Sequence, residues 1–374
     1  MNDNLRIAIS RINDAITNKS KNLSLLGLDL DYLPEKILEL EGIIEELDLG
    51  INRFREIPEQ VFRLSSLIKI DLKENRIQKI SRKICDLQNL ISLYLDDNQI
   101  EEVPSYLFDC KSLQILFLAN NPIQNIPDEI YNKKENILNE LRNYVEQVNT
   151  YGVDRVYEGK LIILGGGGVG KTTLANKLIN PKFKVPTSVD TTRGMDVIRY
   201  DFLGDYQGEE INYRANIWDF GGQELYHTTH QFFLTKRSLY VLVLDNRQEN
   251  DNVDYWLTIT SILGGNSKVI LVLNEKEERK RNISIANIQK HFPNVDSLMT
   301  VDFASNKGLD SLVIRIQTLL CSLKHVGKNL PRRWLDVKSD LEMEKRDYIS
   351  YEDFESICFN NKIKREDEIK FLSK

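Results

Sequence analysis

At 374 residues, 41% hydrophobic and 28% charged, the chain has the balance of a globular protein with room for two or three cores. A net charge of −6 with no basic face or dense basic run excludes nucleic acid as an expected partner. No apolar stretch is long enough to span a bilayer, and the opening MNDNLRIAISRINDAITNKS lacks the apolar core of a signal peptide, so a cytoplasmic location is expected.

Residues 5–16 carry Leu5, Ile9, Ile12 and Ile16 at helical spacing, which predicts a capping helix within 1–22. A repeat follows over 23–131. Asn52, Asn75, Asn98 and Asn121 stand 23 residues apart. Around them recur Leu47/Leu49, Ile70/Leu72, Leu93/Leu95 and Leu116/Leu118, then Ile57, Ile80, Val103 and Ile126, three of these last followed by Pro58, Pro104 and Pro127. This is the frame of a leucine-rich repeat. Each Leu-x-Leu pair predicts a short strand feeding a shared core, and each Asn can bond the turn backbone of neighbouring coils. A weaker first repeat at Leu23, Leu25, Leu28, Leu30 and Leu33-Pro34 has Leu28 in the Asn position, which suits a cap.

Glu46, Asp48, Lys69, Asp71, Lys73, Ser92, Tyr94 and Asp96 are expected on a concave face, either contacting a protein partner or another domain, or forming a solvated wall. Ile137, Leu138, Leu141, Tyr144, Val145 and Val148 make one helical stripe, so 132–152 reads as a connecting helix and linker. Cys85, Cys110, Cys321 and Cys358 form no CxxC or Cys/His cluster, and reduced thiols are expected.

From 153 to 327 strand-like and helix-like segments alternate, the pattern of a doubly wound sheet. The apolar run Leu161–Leu164 breaks into Gly165-Gly166-Gly167-Gly168-Val169-Gly170-Lys171-Thr172 and then a helix opening with Thr173. This is the P-loop pattern in its required context. Glycines let successive N–H groups turn onto a phosphate, Lys171 adds a compact charge, and the Thr172 hydroxyl suits Mg²⁺. A strand then ends in Asp219, and Asp219 to Gly222 spells D-x-x-G. The aspartate can hold a water ligand of Mg²⁺, and the Gly222 N–H can sense a γ-phosphate. Asp219-Phe220-Gly221 also spells the DFG of protein kinases, but the H-R-D-x-x-x-x-N loop and V-A-I-K strand are missing, which rejects that reading.

Thr192 with Gly194 matches the T-x-G of small GTPases, whose threonine completes Mg²⁺ coordination; Thr191 is the alternative register. After the strand Val269–Leu273, Asn274 fits the first position of N-K-x-D. Glu275 takes the lysine position, and the acid is Glu277 or Glu278. A longer acid can still form a bidentate contact with guanine. Ser305-Asn306-Lys307 is similar to the S-A-K loop that contacts the guanine carbonyl. His227 and His230 share a helical face but lack a third ligand, so packing or a switch role is preferred to metal.

Together the glycine loop at 165–172, the segment WDFGGQELYHTTHQFFLTKRSLYVLV at 218–243, Asp245-Asn246-Arg247, Tyr255-Trp256-Leu257 and Leu330-Pro331-Arg332-Arg333-Trp334-Leu335 resemble the Roco family. That resemblance implies an α/β chain, a leucine-rich-repeat solenoid followed by a Ras-like P-loop doubly wound GTPase domain ("Roc") at 153–327. Residues 328–374 would open a COR region, whose complete form would support a homodimer. It implies GTP and GDP as ligands, Mg²⁺ on Thr172, Thr192 and Asp219, and slow hydrolysis with Gln223 orienting water. The alternative is an interaction scaffold that binds nucleotide for structure. Arg193 is a candidate arginine finger, with a solvated surface arginine the plainer reading.

Overall fold

The computed structural model describes residues 3–185, 195–220, 234–246, 252–275, 283–344, 346 and 348–373. The chain divides into two compact units, Met1–Arg155 with Lys328–Lys374, and Val156–Gly327. Among the described residues no helix is long and apolar enough to cross a membrane.

The first unit opens with α1 (Asp3–Asn18), which buries Ala8, Ile12 and Ala15. Strands β1 (Asn22–Ser24), β2 (Glu46–Asp48), β3 (Lys69–Asp71), β4 (Ser92–Tyr94) and β5 (Ile115–Phe117) lie parallel, each paired with the next repeat's strand. Their outward positions carry Glu46, Asp48, Lys69 and Asp71 as expected, with Tyr94 stacked on Phe117 at 4.9 Å, whereas Ser92, also expected on that face, is buried. The first four coils return through short 3₁₀ helices. Proline starts three of these, Pro34, Pro58 and Pro104, because its fixed φ presets the turn. The third repeat lacks that proline, and the Ser81 hydroxyl accepts from the Lys83 N–H instead.

The asparagines do what their spacing implies. Asn75 donates to the Leu49 and Leu72 carbonyls at 3.0 and 3.1 Å and accepts from the Phe54 N–H at 3.1 Å. Asn52, Asn98 and Asn121 repeat the arrangement, all buried. The residue before each is left-handed: Ile51, Glu74, Asp97 and Asn120 have φ of 52°, 53°, 54° and 57°.

One expectation is corrected here. Cys85 and Cys110 form a disulfide, while Cys321 and Cys358 are free and buried. A repeat of 23 residues brings positions about one coil apart side by side, so a separation of 25 is close in space though distant in sequence.

The solenoid continues into α2 (Asp128–Tyr131) and α3 (Leu138–Tyr151), the latter ending at Gly152, whose φ of 79° favours glycine. Strand β6 (Val153–Arg155) leads out of this unit.

In the second unit the strands are β7 (Glu158–Leu164), β8 (Met195–Tyr206), β9 (Glu209–Phe220), β10 (Ser238–Asp245), β11 (Val269–Asn274) and β12 (Val295–Val301), in the spatial order β12-β11-β10-β7-β9-β8. Only β8 runs antiparallel, joined to β9 by a two-residue turn at Gln207 and Gly208, both at positive φ as a type I′ turn requires. Helices α4 (Lys171–Ile179), α5 (Val253–Gly264), α6 (Ile285–His291) and α7 (Leu309–Cys321) cover the sheet. Alternation along β7 sends Leu161 and Ile163 to one buried cluster and Ile162 and Leu164 to the other, which is why this strand reads as a continuous apolar run. From β7 the chain builds to one side and then to the other. That reversal opens a crevice at the carboxyl end of β7.

The chain then returns to the first unit through β13 (Asn329–Pro331), antiparallel to β6, followed by α8 (Arg332–Met343), α9 (Tyr351–Asn360) and α10 (Glu366–Leu372). Trp334, Val337, Phe354, Cys358, Ile363 and Ile369 join the apolar core of the repeats. The Trp334 indole donates to buried Glu368 at 2.7 Å, and the Gln147 amide donates to the same carboxylate at 3.2 Å.

Candidate nucleotide site

At the end of β7 the chain turns at Gly165, φ 140°, where a Cβ would collide with the Val243 carbonyl of β10. Gly170, φ 109°, precedes α4, and a Cβ there would lie 3.0 Å from both the Asn274 amide and the Phe303 ring. Between them Gly167 and Gly168 are exposed, with nothing within 4 Å of where a Cβ would stand. Val169 is buried and anchors the loop to the core.

Lys171 and Thr172 open α4 on its first turn. The Lys171 ammonium donates to the Gly165 and Gly166 carbonyls at 3.1 and 2.8 Å, and burial pulls its pKa down to about 8. The Thr172 hydroxyl donates to Asp219 Oδ2 at 2.6 Å. Asp219, at the end of β9, is fully buried; desolvation pushes its carboxyl above the usual range, opposed by the Thr172 hydrogen bond and the Lys171 charge. Its Oδ1 has no hydrogen-bond partner among the described residues.

A hydroxyl and a carboxylate in contact, with one carboxylate oxygen buried and unsatisfied, fit a hard divalent cation. Mg²⁺ characteristically takes few protein oxygens and keeps its other positions for water and phosphate. Thr173, next along α4, is half-buried.

The base-side residues gather at the neighbouring strand ends. Asn274, the last residue of β11, is buried and donates to the Val169 carbonyl at 2.8 Å, so it braces the glycine loop. The loop after β12 is closed by Asp302. Its carboxylate accepts from the Ser305 hydroxyl at 2.5 Å and the Ala304 N–H at 2.8 Å, and the Ser305 bond holds that carboxyl below its ordinary range. Asn306, φ 63°, accepts from Lys177 Nζ at 2.6 Å, and the Lys307 carbonyl accepts from the Asp302 N–H at 3.0 Å.

Thus Gly165–Thr173, Asp219, Asn274 and Ser305–Lys307 converge on one crevice. Thr192, Gly222, Gln223, Glu277 and Glu278, with Thr191, Arg193, His227 and His230, lie outside the described residues. Sequence reasoning missed Lys177 and Asp302. A lysine on the apolar stripe of α4, between Leu174 and Leu178, was the available signal for the first.

Residues 160–277 match the family model for Roc, "Ras of Complex, Roc, domain of DAPkinase", and residues 44–100 and 88–132 match leucine-rich-repeat models. A Roc-COR-CHAT protease of Runella zeae is 28% identical over 267 residues, 65% of this chain and 28% of that protein. The probable serine/threonine-protein kinase roco11 of Dictyostelium discoideum is 38% identical over 244 residues, 64% of this chain and 15% of that protein. The chain therefore spans less than a third of the length of either relative. Among solved structures, Methanosarcina barkeri Roco2 RocCORdC bound to GDP aligns with a TM-score of 0.53 at 29% identity, covering 59% of this chain and 67% of that one. The chain carries leucine-rich repeats followed by a Ras-like Roc domain, the arrangement of the Roco proteins to which it is similar.

Proposed function

We propose that the chain binds GTP in the Roc-domain crevice and hydrolyses it slowly to GDP and phosphate, the nucleotide state altering contacts made by the repeats. The observation that carries this reading is the Thr172 hydroxyl on buried Asp219, next to a glycine loop whose tip is exposed. GDP in the Roco2 structure supports the choice of nucleotide.

In this mechanism the backbone N–H groups of Gly166–Thr172 and the Lys171 ammonium hold the β- and γ-phosphates. Thr172, Thr192 and Asp219 would hold Mg²⁺, which when bound offsets charge on those phosphates. Gln223 orients a water for in-line attack. The new P–O bond forms as the β–γ bridge breaks, and the proton of the water ends on the phosphate released. Asn274 braces the loop, Glu277 or Glu278 accepts from the guanine edge, and the backbone of Ser305–Lys307 faces its 6-oxo group. Without an arginine supplied by a partner, turnover is expected on the order of 10⁻⁴ to 10⁻² per second. On the repeats, the face carrying Tyr94, Phe117 and the charged row is the proposed partner surface. A homodimer is proposed through a complete COR region.

Single-turnover assays with GTP and ATP in parallel test this reading. Phosphate release from GTP, lost in Gln223→Leu with GTP binding retained and binding abolished in Lys171→Ala, is the expected result. Tight GTP binding without phosphate release supports the scaffold reading instead, and preference for ATP overturns the base assignment.

A further inference from the structure

Lys177 is a buried cation that this mechanism does not use. It lies on α4, 2% exposed, on the face that buries Leu174 and Leu178. Among the described residues its ammonium meets only neutral acceptors, Asn306 Oδ1 at 2.6 Å and the Phe183 carbonyl at 2.9 Å. Desolvating an ammonium is expensive, and a leucine would complete the stripe without that penalty. The charge is therefore held for what it grips. Phe183 follows the helix on a turn fixed by Asn180, so one acceptor anchors the cation while the other belongs to a separate loop.

That loop is the base-facing one. Asn306 is exposed and left-handed, and Asp302 pins the segment on the other side through Ser305, Ala304 and Lys307. We propose that Lys177 is a positioning residue for base selection: by gripping the Asn306 side chain it fixes the backbone of the loop for contact with a 6-oxo purine. The inference rests on the GTP reading above. It gains weight from Glu275, which stands where a lysine would otherwise pack against the base, so discrimination leans on the 6-oxo contact.

Binding of GDP, IDP and ADP to the full chain, measured by calorimetry, tests it. Guanine and hypoxanthine share the 6-oxo group, while adenine carries an amino group there. Lys177→Met is expected to weaken GDP and IDP by the same factor, roughly 3- to 10-fold for one mispositioned hydrogen bond, and to leave ADP unchanged. Asn306→Ala is expected to do the same, the double variant to lose no more than either single, and Asn306→Asp, which keeps an acceptor, to retain discrimination.

Equal weakening of all three nucleotides is the mark of a merely structural role and overturns the inference. A wild-type chain without preference for GDP and IDP over ADP overturns the guanine reading and this inference together. Wild-type preference that survives unchanged in the variants overturns this inference alone. If Lys177→Met fails to fold, Asn306→Ala against Asn306→Asp decides by itself: loss only in the first supports the inference, and equal behaviour overturns it.

Discussion

Lys171 is charged at neutral pH yet stands near its midpoint, because burial pulls its ammonium down to about 8 against a small opposing effect of Asp219. Phosphate oxygens favour the charged form, so nucleotide binding raises that pKa. The sign follows. Near pH 7 the ammonium is largely protonated before and after binding, and little proton is exchanged. Above about 8 the free site has lost its proton and binding takes one up, so affinity falls as pH rises through this window. Calorimetry at pH 8.5 in buffers of different ionisation heat is expected to show uptake of roughly three quarters of a proton per GDP, falling to about a tenth at pH 7. Lys171, Thr172 and Asp219 were legible in the sequence because their chemistry lies in local spacing. Lys177 was not, since its partner Asn306 is 129 residues away and only the folded crevice joins them.

Among the elements, the repeats were the most legible, because a 23-residue period states both the strand and the turn. Departures from the frame are informative in turn. Ile51 takes the left-handed position before Asn52 with φ 52°, although it is β-branched and 48% exposed. Its N–H still donates to the Lys73 carbonyl at 3.0 Å, a bond glycine can keep. Ile51→Gly is therefore expected to stabilise the repeats by about 1 kcal/mol, read as a higher urea midpoint. The Cys85–Cys110 bridge was illegible to a search for local cysteine motifs, since it joins successive coils. Cys110→Ser is expected to cost about 3 kcal/mol under oxidising conditions, and added reductant to bring the wild type to the same midpoint. Identical wild-type curves with and without reductant would show that the bridge does not form.

At the scale of the whole molecule, chain order and spatial grouping differ. The sequence places residues 328–374 after the Roc domain, whereas they complete the core of the repeat unit through Trp334, Phe354 and Ile369. No periodicity announces this, because a short amphipathic helix shows that one face is covered and not by what. A chain ending at Gly327 is expected to bind GDP within about twofold of the full chain. Its repeat unit is expected to lose at least about 3 kcal/mol in urea unfolding, from uncovering α3 and removing those side chains. Loss of GDP binding in that chain would show that the division into units is not energetic.

The pairing of β6 with β13 has a consequence for synthesis. At roughly 5–20 residues per second, ribosomal elongation through Val156–Gly327 takes on the order of ten to thirty seconds. Throughout that interval the repeats have emerged with β6 unpaired and α3 uncovered, while the inserted module has time to fold around a nucleotide. Completion of the repeat unit is therefore expected only after the Roc domain inserted in its sequence has been translated.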